Sequence, residues 1–250
     1  LSIDAPLVAI IWQNAVSTLF GLTLDWHHRV LVFISVWLGY SADRWFDTWR
    51  HQSNISQRHQ FFSRYRWPIF AIWVAALLGA LTLALQSLSL GELTSGFGLT
   101  ASSIAVTLIV QLGQVRRFHA LLKSILTASL VSASVLLFAL PENWDDRISS
   151  IALLLATFTL NCSLIHYWDR PIDAIQENSP NDSTRFGELI AVSGFTILAL
   201  CVFHQAPLYE YSLTSAILLA AIHVFRDRLH PETRRTYADL SLLTPLVLFL

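Results

Sequence analysis

Long apolar runs, each near the length that crosses a bilayer, dominate the sequence. A spanning helix needs about 20 mostly apolar residues. Nine runs qualify, at roughly 5–23, 28–47, 67–88, 97–115, 119–140, 148–170, 186–205, 209–225 and 236–250. The runs are continuous and do not alternate, so they read as helices and not as the strands of a membrane barrel. Only 13% of the 250 residues are charged and 54% are hydrophobic, whereas a soluble domain carries roughly 25% charged residues. In water so much apolar surface would drive aggregation; in lipid it is matched to its solvent. The expectation is an all-α fold: one domain over residues 1–250, a polytopic membrane bundle of about nine transmembrane helices. The last run is short for a full crossing.

Breaks between the runs carry recognisable punctuation. Pro68 suits the first turn of the third helix, where a missing N–H costs nothing. Pro141 ends the fifth and Asp146 is placed to cap the sixth. Residues 178–184, Asn-Ser-Pro-Asn-Asp-Ser-Thr, form a polar loop, and Pro207 and Pro231 mark two further connections. Cys162 and Cys201 sit in apolar runs without metal or redox spacing and read as small buried hydrophobes. A formal net charge of −1 gives no reason to expect a nucleic-acid partner.

The basic residues divide unevenly between the two ends of such a bundle. Of the 16 Lys and Arg, all but Arg29 and Arg147 fall on one face. The positive-inside rule makes that face cytoplasmic. The sequence therefore predicts a multi-pass protein of a bacterial inner membrane, with a cytoplasmic N-terminus and active face.

Two acidic couplets lie on that face. Asp43 and Asp47 occur in Asp43-Arg-Trp-Phe-Asp47, and Asp169 and Asp173 in Asp169-Arg-Pro-Ile-Asp173. Each couplet is placed at the end of an inward-running helix, the second or the sixth. Residues i and i+4 share a helix face, so the carboxylates repel each other, and the negative end of the helix dipole disfavours them further. A cation relieves both penalties. Mg²⁺ suits the position, being a hard ion held by one or two carboxylates together with substrate phosphate oxygens. The bland alternative is that these are boundary charges paired with loop arginines.

Gly39-Tyr-Ser-Ala-Asp43-Arg-Trp-Phe-Asp47 resembles the first aspartate-rich motif of the UbiA-type intramembrane prenyltransferases, and Tyr167-Trp-Asp169-Arg-Pro-Ile-Asp173 resembles the second. Arg116, Arg117 and Lys123 are similar to the basic cluster between the fourth and fifth helices, and Tyr237-Ala-Asp239-Leu…Pro245 to the last helix. The resemblance implies that Asp43, Asp47, Asp169 and Asp173 bind Mg²⁺ and diphosphate, and that Arg116, Arg117 and Lys123 contact the diphosphate. It implies transfer of a prenyl group from a polyprenyl diphosphate to an unknown acceptor within the bilayer. Two features depart from the family pattern: Gly39-Tyr40 stands where the family has Asn-Asp, and the Gly-x-Lys-Ser run after the second motif is absent. Asn161, two turns from Asp169, either takes the place of the missing Asn in the substrate site or bonds another helix. These departures also suit an inactive UbiA-like membrane protein that binds a lipid or partner.

Gln13, Asn14, His166, Glu188, His223 and Asp239 are the other polar residues of the apolar runs. Asp239 is expected near the start of the last helix, where a carboxylate favours the dipole.

Overall fold

A computed structural model describes residues 3–50, 64–112, 119–139, 148–177, 183–203 and 207–248; at several helix ends only the backbone is described. The described residues are all-helical. In chain order the helices are α1 (Asp4–Leu19), α2 (Trp26–Arg50), α3 (Arg66–Ser87), α4 (Leu90–Leu112), α5 (His119–Leu136), α6 (Ile148–Glu177), α7 (Ser183–Phe203), α8 (Pro207–Val224), α9 (Pro231–Ser241) and α10 (Thr244–Leu248). A 3-10 turn, Arg226–Arg228, joins α8 to α9.

Local chemistry sets the tight turns. Gly21 follows α1 at φ 66°, a conformation that costs an L residue roughly 1–2 kcal/mol. Its N–H donates to Thr18 O at 3.1 Å, and that of Leu22 to Ser17 O at 2.8 Å. This pair of bonds is the Schellman closure of a helix end. Between α3 and α4, Ser89 and Glu92 form a capping box. Ser89 N–H donates to Glu92 Oε2 at 2.8 Å, and Glu92 N–H reaches back to Ser89 Oγ at 3.4 Å. Each side chain thereby serves a backbone donor that the first helical turn leaves unpaired.

Helices α2 and α3 run antiparallel, whereas α6 and α8 run side by side in the same direction, Tyr209 meeting Ser149 near their starts and Trp168 meeting His223 near their ends. Trp45 meets Phe70 at 5.3 Å between ring centroids, and Trp73 Nε1 donates to Leu38 O at 3.0 Å, which fixes α2 against α3. The core sits around α1 and α6. Trp12, fully enclosed, packs edge-on to Phe158 at 5.7 Å and donates its indole N–H to Leu242 O at 2.7 Å. Leu153, Leu154, Leu219 and Val135 complete this centre.

The outer helices turn apolar side chains outward. On α3 only Ile69 and Ala80 are buried, while Trp67, Ile72, Leu78 and Leu85 stand exposed; so do Phe97 on α4 and Phe195 on α7. Among the described residues two helical stretches, Arg66–Ser87 and Ile148–Trp168, are long and apolar enough to cross a membrane. Shorter apolar stretches occupy Leu122–Leu136, Leu189–Leu200 and Leu208–Val224.

The ninth run differs from its expectation of one helix over 236–250. The chain enters the helix earlier, with Pro231 in the first turn, where proline is pre-organised for it. It breaks after Ser241, because Pro245 has no N–H for the Ser241 carbonyl. Thr244 Oγ1 pins the break to α8 by donating to Tyr211 O at 3.0 Å. Asp239 consequently lies in the last turn of α9, not at the start of a span. Arg116, Arg117, Pro141 and Asp146 fall outside the described residues.

Candidate functional site

Both couplets lie wholly within helix, since α2 runs to Arg50 and α6 to Glu177. The i,i+4 spacing therefore does put each pair of aspartates along one helix face. Side chains are described for Asp43 but not for Asp47, Asp169 or Asp173.

Asp43 is half-buried, and its Oδ1 lies 3.2 Å from the Lys123 Nζ in the second turn of α5. The next residue, Ser124, is fully buried and turns to α6, with its Oγ 2.9 Å from His166 Nδ1. That nitrogen also lies 2.9 Å from Cys162 O. A carbonyl only accepts, so His166 Nδ1 carries a proton. Consecutive residues of α5 thus hold α2 on one side and α6 on the other. His166 precedes Asp169 by three residues, nearly one helical turn. The ends of α2 and α6 that bear the two couplets therefore flank the same end of α5.

A second basic group reaches this end from α8. Trp168 Nε1 donates to His223 Nδ1 at 3.1 Å, and Arg226 Nη1 lies 2.8 Å from His223 Nε2. The Arg226 guanidinium also sits 5.8 Å from the centre of the Tyr167 ring. A neutral imidazole offers one acceptor, yet donors face both nitrogens of His223. Whichever tautomer is present, one of these contacts opposes donor to donor, an arrangement that an anion at Arg226 would relieve. Arg226 and Ser124 were not legible as site residues in the sequence. The usable signal for Arg226 is its i+3 spacing from His223 at the C-terminal end of α8.

Deeper in the bundle, polar groups lie buried without partners. Gln13 is fully enclosed, and neither its Oε1 nor its Nε2 has a hydrogen-bond partner among the described residues. Asn161 is 6% exposed and its Oδ1 is likewise unpartnered. Each such group costs about 1–3 kcal/mol. They occupy α1 and α6, the helices joined through Trp12 and Phe158. The interhelical bond weighed for Asn161 is not made through its Oδ1 among the described residues. The Glu188 side chain lies outside the described residues.

Comparison of the chain with protein-family models, with curated proteins and with solved structures returns no match.

Proposed function

We propose that the chain is a multi-pass membrane protein that binds a polyprenyl diphosphate with Mg²⁺ at the joined ends of α2, α5 and α6. It transfers the prenyl group to an acceptor held within the bundle. The observation that carries this reading is the bridging position of α5: Lys123 pairs with Asp43 of α2 while adjacent Ser124 meets His166 of α6. Both Asp-Arg-x-x-Asp helix ends thereby approach one place.

The membrane part of the reading rests on α3, whose apolar side chains face outward nearly all round. Exposed in water, such a helix would be an aggregation site; in lipid it needs no cover. Its 22 residues extend about 33 Å, close to the roughly 30 Å hydrocarbon thickness of a bilayer. The sequence of α6 turns from apolar to charged at Asp169-Arg170, the kind of boundary at which a span leaves the hydrocarbon. That sets Asp169 just outside the hydrocarbon, where a charged lipid headgroup or diphosphate resides. The positive-inside rule makes this end cytoplasmic.

The donor set fits Mg²⁺. Asp43 already holds a cation in the form of the Lys123 ammonium, and hard carboxylate oxygens are what this ion takes. When bound, Mg²⁺ would stabilise the charge of the departing diphosphate. The chain's own cations do the same work from the flanks: Lys123 turns from Asp43 to a phosphate oxygen, and Arg226 leaves its donor–donor contact with His223 for another. The Gln13 amide and the Asn161 Oδ1, unpartnered among the described residues, are open to a polar group of the acceptor. The Trp12–Phe158 pair gives that region apolar walls.

A second reading is an inactive UbiA-like protein that binds a lipid or partner. It is favoured by the Asp43–Lys123 pair, which neutralises one couplet member without any metal, and by Gly39-Tyr40 in the place of Asn-Asp. Incubating the purified chain with labelled prenyl diphosphates and a membrane extract separates the two. Transfer that requires Mg²⁺ and disappears in Asp47→Ala and Asp173→Ala chains of unchanged helicity supports the enzyme. Diphosphate binding without transfer supports the second reading, and the absence of both removes the first.

A further inference from the structure

At the other end of α2 (Trp26–Arg50), about 22–30 Å from Asp43 and Asp47 at a rise of 1.5 Å per residue, the chain assembles Asp25, His27 and His28. One ligand atom from each lies within 4.8 Å of the others. From this geometry we infer a binding site for a divalent first-row transition ion of the zinc type, formed by Asp25, His27 and His28 and oriented by Glu92.

The case rests on His28. Its Nε2 lies 3.0 Å from Glu92 Oε1. The other oxygen of that carboxylate accepts from the Ser89 backbone N–H at 2.8 Å and from the Ser89 hydroxyl at 2.6 Å. An ionised carboxylate only accepts, so Nε2 of the neutral ring carries the proton and Nδ1 carries the lone pair. Nδ1 is buried and has no hydrogen-bond partner among the described residues. Carboxylate on one ring nitrogen and an open lone pair on the other is the arrangement found behind metal-bound histidines, where the carboxylate fixes tautomer and orientation.

The ring is also held in place mechanically. Phe138 lies against it at 4.6 Å between centroids and His27 at 4.2 Å. The His27 and His28 side chains are only 15% and 11% exposed, while that of Asp25 is 74% exposed. Asp25 is therefore the mobile member. Its Oδ2 stands 4.0 Å from His27 Nε2, and ligands around Zn²⁺ with bonds of about 2.0–2.1 Å lie roughly 3.3 Å apart. Closing the site requires movement of about an ångström, available to an exposed side chain. Two imidazoles and one carboxylate select zinc and its neighbours over Mg²⁺ or Ca²⁺, which prefer oxygen. The positive end of the α2 dipole opposes a cation here; the charges of Asp25 and Glu92 offset it.

This site is independent of the prenyl-transfer reading and is tested separately. Untagged full chain in detergent is titrated with Zn²⁺ against a chromophoric chelator. One Zn²⁺ per chain is expected. His27→Ala and His28→Phe should each weaken binding at least tenfold, and Glu92→Gln by about 10- to 100-fold, as for other residues that orient a ligand. Asp47→Ala, at the far end, should bind as the native chain does. Circular dichroism establishes that each variant is folded, and His27→Ala leaves the His28–Glu92–Phe138 packing in place. Failure of the native chain to bind stoichiometrically, or native affinity in the folded His27→Ala and His28→Phe chains, would overturn the assignment.

Discussion

Asp43 illustrates how one residue serves two states. It shares a helix face with Asp47 by its i,i+4 spacing, near the negative end of α2, and Lys123 balances its carboxylate. With both partners partly exposed, the pair itself contributes no more than about 1 kcal/mol, weak enough to open for a ligand. Lys123→Gln is therefore predicted to fold, with a melting temperature within a few degrees of the native chain. It should respond more strongly than the native chain to free Mg²⁺, which no longer competes with an ammonium. It should also bind a diphosphate analogue about tenfold less tightly. Thermal melts with and without Mg²⁺ check the first part and equilibrium binding the second. Gln13 carries the opposite trade. Buried and unpartnered, it costs the fold about 1–3 kcal/mol. Gln13→Leu, of similar volume, should raise the melting temperature by several degrees and reduce use of the acceptor, a substitution that favours stability over function.

The helices show which parts of the architecture are written locally. Apolar runs, prolines at helix starts and the Ser89–Glu92 pair are short-range signals, so eight of the nine expected segments coincide with helices to within several residues. The ninth was illegible because its fate depends on a contact from elsewhere: Thr244 bonded to Tyr211 and Ser215 of α8 beside a proline that interrupts the ladder. The Asp-Arg-x-x-Asp spacing was readable as one helix face. Lys123 as the partner of Asp43, and Trp168 meeting His223, were not, since each pairing spans a distance in sequence that only packing closes. The α4 cap makes its own prediction. Glu92 is held below the usual carboxylate pKa, chiefly by its bonds to Ser89. A group with a lowered folded pKa stabilises above its unfolded value and loses that contribution as the pH falls through the folded one. Native stability should thus decline relative to Glu92→Gln as the medium is acidified below the ordinary carboxylate range. Parallel melts of the two chains across that interval measure it; parallel curves would contradict the cap.

For the molecule as a whole, polarity is distributed in a way that suits a lipid solvent. Apolar side chains cover α3 and the outer faces of α4 and α7, while the cations and carboxylates gather at helix ends. The two ends differ in kind. One pairs Asp43 with Lys123 and holds Arg226 against His223, the end proposed for a diphosphate with Mg²⁺. The other joins imidazoles with a carboxylate, the chemistry of a softer ion. Between them, α1 and α6 enclose Trp12, Phe158, and the Gln13 amide and Asn161 Oδ1 that lack partners among the described residues. Equilibrium binding of a non-hydrolysable prenyl diphosphate analogue to the purified chain, with Mg²⁺ present or chelated, bears most directly on the joined couplets. Binding that needs Mg²⁺ and weakens at least tenfold in both Asp47→Asn and Asp173→Asn is the predicted result. Binding indifferent to Mg²⁺, or unchanged in either variant, would contradict it.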